Sequence, residues 1–393
     1  MTESRFIRPL DTLYLRGNRL FGEPGGHGAA LMPPWPSVAA GALRSRMLAD
    51  AGIRDLEGYA KHAIDLAELA DILGWPDAPG TFRIHRFGLA RRTRADQAVE
   101  PLWPLPADLA IEIGEDAPLA GATVHRLAPQ ALPAGVLSNH VLPQLPVLRA
   151  GRAFKARADV WLNGDGFRAW LGGQAVRAEH LLEQGAIWKS DARLGIELGA
   201  ATRTAAEGRL YTAETVAMAR DQDFESGFLV SVEGAGGKLP ANGSLRFGGD
   251  GRGAALASCA AVWPQSDYAA IAAERRLRIV LATPGLFEHG WRLPGVDEDN
   301  RWRGPDGCRA RLVAAAVPRH QVVSGWDLAA WVPKPALRAA PVGSVYWLED
   351  FEGEPAALGK LADEGLWCIS AYPDRRRRAE GFNNILLAAW PRH

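Results

Sequence analysis

Glycine and arginine are concentrated in one short stretch of the sequence, Leu245 to Ala254, which reads Leu-Arg-Phe-Gly-Gly-Asp-Gly-Arg-Gly-Ala. Glycine adopts positive φ and lets a ligand approach the backbone closely, as Gly248 and Gly249 could do here. Consecutive backbone N–H groups in such a turn form a concavity for anions, and the guanidinium groups of Arg246 and Arg252 suit phosphate. We interpret the stretch as a phosphate-contacting loop. The alternative is an ordinary flexible turn.

A second anion site is predicted where a helix should begin, at Ser37. Pro36 disfavours helix before it, and the Ser37 hydroxyl can cap the free N–H groups of the first turn. The N-terminus of a helix presents unpaired N–H donors at the positive end of its dipole, which attracts phosphate. Arg44 leaves the apolar face of this helix, so we expect Ser37 and Arg44 to contact phosphates.

Two strand-like segments, 192–198 and 209–218, face each other across a glycine-containing link and predict a long hairpin arm. Arg193, Arg203 and Tyr211 are available along it. An arm of this kind can wedge between bases of an RNA, with an aromatic ring stacked on one of them. A surface hairpin that packs on its own domain is equally compatible with the pattern.

A run of four arginines, 375–378, adjoins the turn Gly-Phe-Asn-Asn at 381–384. A charge run is commonly only a solvated face. Because this one lies beside a glycine-containing turn before the last predicted strand, we include Arg376 and Asn383 among the candidate RNA contacts.

Motifs of common enzymes are absent: the sequence contains no H-E-x-x-H, C-x-x-C or G-x-S-x-G. Gly234 to Lys238 fails as a P-loop, because Val232 replaces the first glycine and Leu239 replaces the magnesium-binding hydroxyl. The G-x-G-x-x-A match at 249–254 is not followed by the βαβ series that a dinucleotide site requires. His27, flanked by glycines, is a lone histidine. We therefore expect no cofactor, no metal and no catalytic residue.

Composition restricts the class of protein. The 393 residues allow two or three domains, and 47% hydrophobic residues exclude wholesale disorder. A formal net charge of zero argues against a protein that coats nucleic acid indiscriminately, although it permits a local basic groove. Three widely spaced cysteines indicate neither a disulfide framework nor a zinc site. With no apolar run of membrane-spanning length and no signal-like N-terminus, we expect a cytoplasmic protein without membrane contact.

Strand patterns outnumber helix patterns, which predicts an α+β fold. Each half is compatible with a ferredoxin-like βαββαβ unit. We expect an N-terminal domain over 1–268 that carries an insertion at about 75–190 and the hairpin arm at 190–218. A second, degenerate ferredoxin-like domain is expected over 269–393.

Eight segments of the sequence together form a recognisable pattern: 9–17 (Pro-Leu-Asp-Thr-Leu-Tyr-Leu-Arg-Gly), 32–44, 193–196, 202–208, 210–214, 245–252, 323–327 and 340–347. In this order and spacing they resemble the RAMP proteins of type III-B CRISPR systems, in particular the third subunit of the Cmr effector complex. The resemblance runs over nearly the whole chain, with 50–189 poorly constrained.

The resemblance implies two ferredoxin-like (RRM-like) domains and a non-catalytic subunit that grips the 5′ tag of the CRISPR RNA. Its implied partners are the large polymerase-like subunit, the backbone RAMP subunits, the small subunit and, indirectly, target RNA. The family's C-terminal glycine-rich turn appears here with asparagines at 383 and 384. The alternative is a metal-independent RAMP endoribonuclease that processes repeat RNA with His27 as general acid and base.

Overall fold

The computed structural model describes residues 2–15, 27–28, 30–115, 117–198, 204–327, 332–369 and 374–390, with backbone alone at 27–28, 197–198 and 205–211. The α-helices are α1 Pro36–Asp50, α2 Leu56–Ala60, α3 Ala70–Leu73, α4 Gly164–Leu171, α5 Tyr268–Glu274, α6 Pro355–Glu364 and α7 Arg375–Ala379. Short 3-10 helices are Ala67–Leu69, Leu119–Gly121, Ala178–His180, Gln184–Ala186, Pro305–Gly307 and Gly365–Cys368.

Strands make up more of the fold than helices. In chain order they are β1 Thr2–Pro9, β2 His27–Gly28, β3 Arg83–Thr93, β4 Val99–Pro101, β5 Trp103–Pro104, β6 Leu109–Glu112, β7 Thr123–Arg126, β8 Ala128–Ala131, β9 Gln144–Val147, β10 Val160–Leu162, β11 Leu181–Glu183, β12 Trp188–Leu198, β13 Ala205–Met218, β14 Phe224–Glu233, β15 Asn242–Arg246, β16 Gly253–Ser258, β17 Leu277–Leu281, β18 Arg301–Arg303, β19 Arg309–Ala316, β20 Gln321–Val323, β21 Trp326–Asp327, β22 Val332–Pro333, β23 Leu337–Ala339, β24 Val345–Glu352 and β25 Ile385–Ala389.

The N-terminal half is built on an antiparallel sheet with the strand order β15-β16-β1-β14-β3-β4. Helix α1 packs on one face of it, and Leu43 and Met47 lie in the same core cluster as Phe228 and Val230 of β14. Their spacing along α1 is helical, so this packing was predictable from the sequence. Strands β12 and β13 pair antiparallel and form the predicted hairpin arm.

The start of α1 differs from the prediction. The helix begins at Pro36 with Trp35 as its N-cap, and no side chain caps it. Ser37 therefore lies inside the first turn, and its predicted capping role is wrong. The physical reason is that proline suits the first helical position, where its missing N–H costs nothing, so the helix begins one residue earlier. Trp35 packs in a cluster with Leu286 and Phe382 of the C-terminal half.

The C-terminal half is built on a second antiparallel sheet, with the order β18-β19-β24-β17-β25. Alternate residues of its inner strand β17 face opposite sides of the sheet. Leu277, Ile279 and Leu281, which the sequence pattern places on one face of a strand over 275–283, pack with α6. Val280 packs on the other face, against side chains drawn from 103–181.

The predicted insertion thus covers a sheet that is formed far from it in sequence. Asp108 and Arg278, both almost fully buried, form an ion pair of 2.6 Å on this face. The Trp170 indole donates to the other oxygen of Asp108 at 2.8 Å, and Arg278 donates to the Trp170 carbonyl at 2.8 Å. These contacts join the insertion to β17. The domain boundaries expected from the sequence stay a prediction.

One predicted strand is a helix. Residues 366–370 were expected to complete the second sheet, but Gly365–Cys368 is a 3-10 helix that follows α6 directly. Gly365 adopts φ +68 at the end of α6, where a left-handed glycine is favoured, and the chain turns instead of extending.

Strand β3 connects the two halves. Arg86 donates to the carbonyl of Ala362 at 2.6 Å, and Asn384 donates to the carbonyl of His85 at 3.0 Å. The imidazole of His85 lies 3.1 Å from Glu233 and 3.6 Å from Asp363. His85 therefore links the first sheet to the end of α6.

Acid is expected to weaken the fold through this histidine. Burial, helped by the neighbouring charge of Arg86 and opposed by Glu233 and Asp363, lowers the pKa of His85 below its ordinary value of 6.5. Above 6.5 the imidazole is neutral in both states, so it adds no pH dependence. As pH falls below 6.5, the unfolded chain takes up a proton that the folded chain resists, and the free energy of unfolding decreases.

The urea midpoints at pH 7.5 and 5.5 measure this effect. We expect His85→Gln to reduce the loss of stability between the two values. His320→Gln serves as the control because His320 is exposed, and it should leave the loss unchanged. The pKa of Glu233 is held below its ordinary 4.5, so this carboxylate stays charged through the window. Equal pH slopes for wild type and His85→Gln would contradict the assignment.

Candidate nucleic-acid interface

The glycine- and arginine-rich stretch forms a tight turn between β15 and β16. Phe247 is fully buried and stacks on Phe228 of the first sheet, with ring centroids 5.0 Å apart. The backbone closes the turn, since Phe247 N–H donates to Arg252 O at 2.9 Å and Arg252 N–H donates to Gly249 O at 3.3 Å. The buried ring fixes the base of the loop, so the residues between it and Arg252 project outward from a rigid sheet edge.

Close approach of a second segment explains the first two glycines of the turn. Gly249 N–H donates to the carbonyl of Tyr14 at 2.7 Å. Gly248 adopts φ +81, and a Cβ there would lie 2.9 Å from the Tyr14 oxygen. Gly251 adopts φ +64, but a Cβ there would meet nothing within 4 Å. Gly248 and Gly251 therefore both need left-handed backbone, but only at Gly248 must the side chain also be absent to leave room for the Tyr14 carbonyl.

This difference allows a matched test of the loop geometry. Gly248→Ala and Gly251→Ala share a left-handed strain of about 1–2 kcal/mol. Only Gly248→Ala adds a clash with the Tyr14 carbonyl, so we expect its free energy of unfolding to fall further. Chemical denaturation of both variants measures the difference. Equal losses would show that the packing against Tyr14 is not a constraint.

The two arginines of the loop have different surroundings. Arg246 is exposed, and its side chain has no hydrogen bond or ion pair within the described part of the chain. Arg252 is about a quarter exposed and lies 3.3 Å from Asp11 and 3.5 Å from Asp250. A phosphate would have to displace these carboxylates from Arg252. Arg246 is therefore the open cation of the loop, and Arg252 ties the loop to the end of β1.

A cleft of about 500 Å³ adjoins the loop, between the ends of β1 and β13 and the start of β14. It is next to the loop, because two residues of its lining contact the loop: Leu10 N–H donates to Gly253 O at 3.0 Å, and Asp11 lies 3.3 Å from Arg252. Three arginines line it: Arg8, Arg94 and Arg220.

The arginines of the cleft are not equally available. Arg8 lies 3.4 Å from Glu225, a carboxylate that also pairs with Arg92. Arg94 is exposed, and of its guanidinium nitrogens only Nε donates a hydrogen bond in the described structure, to the Asp221 carbonyl at 2.9 Å. Arg220 is exposed and has no side-chain partner among the described residues. Two guanidinium groups can therefore receive an anion here.

A buried hydroxyl lines the same cleft. Thr12 is only 8% exposed, and its Oγ1 has no hydrogen-bond partner in the described structure. A buried polar atom without a partner costs free energy, so such atoms are normally satisfied by water or a ligand. The cleft thus offers cationic donors and a buried hydroxyl without a partner, which fits the phosphates and sugars of a nucleic-acid strand.

Two other predicted contacts are not on an open surface. The Arg44 guanidinium lies over the Phe82 ring, 5.1 Å from its centroid, and its Nε and Nη2 are buried without partners. Burial lowers the pKa of Arg44, against the attraction of Glu380. Asn383 is fully buried; its side chain accepts from Leu286 N–H at 2.6 Å and donates to Leu286 O at 3.2 Å.

Asn383 nevertheless confirms that the C-terminal turn survives without further glycine. Its φ is +63, a left-handed conformation that asparagine tolerates. The side chain fixes the turn internally and is not available to RNA in this conformation. We therefore leave Asn383, Arg44 and Ser37 out of the interface proposed below.

The remaining candidates are separate from the loop and cleft. Arg193 on the arm is 45% exposed and pairs with Asp191 at 3.0 Å. Arg376 of α7 is 43% exposed and lies 3.8 Å from Asp327. Arg203 lies outside the described residues, and the side chains of Tyr211 and His27 are also outside them. The structure brings Arg246, Gly248, Gly249 and Arg252 together, and it does not gather Arg193 or Arg376 around them.

The sequence matches a known protein family over almost its whole length. A family model described as CRISPR-associated protein (Cas_Cmr3) matches residues 5–390. The chain belongs to this family. The resemblance predicted from the sequence motifs is therefore confirmed. No protein in the curated set matches the chain.

The fold is also similar to that of solved members of type III-B complexes. A chain in the cryo-EM structure of the type III-B Cmr-beta complex bound to cognate target RNA is 15% identical and has a TM-score of 0.50; the match covers 98% of this chain and 96% of that one. A chain of the same complex bound to cognate target RNA and AMPPnP has 16% identity and a TM-score of 0.48, with the same coverage.

A possible metal site for this Cas_Cmr3 family member lies away from the loop. Ligand atoms of His85, Glu233 and Asp363 are within 4.8 Å of one another. Arg83 already donates to Glu233 at 2.7 Å, and Arg86 lies close to His85. A cation would compete with two guanidinium groups, so the donor set does not favour a metal. Across the described ranges, no helix is long and apolar enough to cross a bilayer.

Sequence reasoning missed the cleft because its cations come from three distant segments. Arg94 follows the end of β3, Arg220 follows the arm, and Arg8 belongs to β1. The one local signal was the Arg-Arg-Thr-Arg run at 91–94, which reads as a solvated strand end. Nothing in the sequence shows that these segments meet.

Proposed function

We propose that this chain is a non-catalytic RNA-binding subunit of a type III-B CRISPR effector complex and holds the 5′ tag of the CRISPR RNA. The observation that carries the proposal is that the glycine loop and the cleft lie next to each other and that Arg246, Arg94 and Arg220 are exposed there. Membership of the Cas_Cmr3 family supports it. The RNA-bound complex that contains the structural neighbour is consistent with it.

The two main sheets support a pair of ferredoxin-like (RRM-like) units. In the first sheet, β16-β1-β14-β3 place the first strand of the unit between its fourth and third. In the second, β25-β17-β24-β19 repeat this order. A complete βαββαβ unit has two helices. The first unit keeps α1, the helix after its first strand. Between its third and fourth strands the chain forms β15 instead of the second helix. The second unit keeps α6.

The chemistry of the surface suits a single RNA strand. Arginine contributes bidentate contacts to phosphate, and these fix the register of the strand. The Thr12 hydroxyl can bind phosphate or a 2′-OH, as can the N–H groups of the turn other than those of Phe247, Gly249 and Arg252, which bond within the fold. Arg246 and the cleft arginines flank the turn, so the backbone of the tag would run from the loop into the cleft.

The proposed partners are the large polymerase-like subunit, the backbone RAMP subunits and the small subunit, with target RNA contacted indirectly. The hairpin arm supports a protein contact, because Leu194 and Ile196 are 66% and 51% exposed on it. Apolar side chains on an exposed arm favour burial in an assembly. We assign the arm to contact with a neighbouring subunit or with the guide strand.

We also propose that this chain uses no cofactor and does not cut RNA. His27 is the residue on which the alternative depends, and metal-free cleavage needs a positioned proton acceptor. Incubation of the purified chain with repeat RNA in EDTA should give no specific cleavage. Specific cleavage by the wild-type chain that is lost in His27→Ala would contradict this proposal and support the endoribonuclease alternative.

The RNA-binding proposal is tested by Arg246→Ala in the reconstituted complex. Loss of one charge-assisted contact of about 1.5–3 kcal/mol corresponds to a loss of guide affinity of roughly tenfold or more. Arg301→Ala is the matched control, because Arg301 is 73% exposed and lies on the second sheet. The readout is the salt concentration at which the guide dissociates. An unchanged value for Arg246→Ala, with a complex of normal composition, would reject the loop contact.

A further inference from the structure

A second cleft, of about 550 Å³, lies on the C-terminal half and is independent of the glycine loop. Its wall is apolar, with contributions from Val141, Trp291, Val317 and Pro318. Trp291 lines the cleft and is 37% exposed, although it carries the largest apolar side chain. A flat aromatic surface is therefore presented to whatever occupies this space.

A hydrogen bond from the second sheet fixes the backbone of Trp291. The hydroxyl of the fully buried Tyr346 donates to the Trp291 carbonyl at 2.7 Å. Tyr346 belongs to β24, the centre of the second sheet. The exposed ring is thus held on rigid backbone, and holding a stacking partner on a rigid element reduces the entropy that is lost on binding.

The charged side chains around the cleft are positive, which favours a negatively charged ligand. No aspartate or glutamate is among the described residues that line it. Arg338 lines it, is exposed and has no partner in the described structure; the neighbouring Arg319 is likewise exposed and unpaired. Asn139, His140 and His320 complete the polar part of the lining. The occupant should therefore combine a flat, apolar face with negative charge.

We infer that this cleft takes one nucleobase of a single-stranded RNA, stacked on Trp291, with its phosphate near Arg338. A nucleotide combines a π-face with an anion, and an aromatic ring beside a guanidinium group is the arrangement that binds unpaired strands. The exposed imidazole of His320 can bond the edge of the base, whereas that of His140 already hydrogen-bonds the Gln144 carbonyl at 3.0 Å. An apolar protein segment would leave Arg338 and Arg319 without a counter-charge. The inference rests on the proposed RNA-binding function and adds a second contact point for the strand.

The test uses the reconstituted complex with guide RNA that carries 5-iodouridine in its repeat-derived 5′ segment. Ultraviolet crosslinking should yield RNA-linked peptides that contain Trp291 or His320. Trp291→Ala should weaken guide binding by about tenfold, because stacking of one base contributes on this order. The salt slope should not change, since stacking releases no counterions. Trp291→Phe should retain most of the affinity.

Two further variants keep the test decisive. Arg338→Ala removes an exposed, unpaired side chain, so it should fold normally and still weaken binding. Trp326→Ala, another exposed tryptophan at 47% and outside the cleft lining, should have no effect. Crosslinks from this cleft to another protein subunit, or full affinity in both Trp291→Ala and Arg338→Ala, would overturn the inference. If Arg246→Ala also had no effect, the proposed function itself would fail.

Discussion

Arg94→Ala/Arg220→Ala should weaken the binding of guide RNA by about tenfold or more at physiological salt and reduce its salt dependence. Each phosphate contact on a single strand contributes about 0.7 to the slope of log K against log salt, so removal of two should lower the slope by about 1.4. Both side chains are exposed and neither has a carboxylate partner in the described structure, so the fold should not change. Titration of the complex at several salt concentrations measures both quantities.

A matched double variant separates this site from general charge loss. Arg301→Ala/Arg309→Ala removes the same charge from exposed positions on β18 and β19 of the second sheet. We expect it to leave the affinity and the slope nearly unchanged. If it lowered both as much as Arg94→Ala/Arg220→Ala, the cleft would have no special role.

The largest expected loss of stability follows from Asp108→Ala. Arg278 is buried, and burial lowers its pKa to about 10 even beside the charge of Asp108. Removal of Asp108 leaves a buried guanidinium without its counter-charge, and breaking a pair of this kind costs about 3–5 kcal/mol. It also removes the acceptor of the Trp170 indole. The free energy of unfolding from urea titration should fall accordingly.

The partner variant isolates the charge effect. Asp108→Leu/Arg278→Met replaces the pair with apolar side chains and should recover much of the loss, because buried ion pairs often contribute little over hydrophobic packing. Asp299→Asn, at an exposed pair with Arg301, should change nothing measurable. A loss below about 1 kcal/mol for Asp108→Ala would show that this pair does not hold the insertion on the sheet.

Local patterns in the sequence predicted local structure well. The sequence predicts a strand over 224–233, the hairpin arm and a short helix over 354–364, and the structure has β14 at Phe224–Glu233, the arm and α6 at Pro355–Glu364. These elements were predictable because hydrophobic period and turn residues are local signals. The start of α1 was missed by one residue, since both proline and serine favour a helix start.

Contacts between distant segments were not predictable. Arg252 pairs with Asp11, 241 positions earlier in the chain, so the arginine pair expected at the loop is one open cation and one neutralised one. Asn383 was assigned to RNA from its turn context, but the approach of Leu286 buries it. In each case a partner supplied by the tertiary fold decides whether the side chain is available, and a single sequence does not show that partner.

The central claim is that one end of a guide strand lies along the glycine loop and the cleft beside it. A cryo-EM map of the assembled complex with its guide RNA measures this directly. The account predicts a phosphate oxygen within hydrogen-bond distance of Arg246, with the strand continuing between Arg94 and Arg220. A map in which protein covers this surface and the nearest nucleotide is out of reach of all three arginines would contradict it.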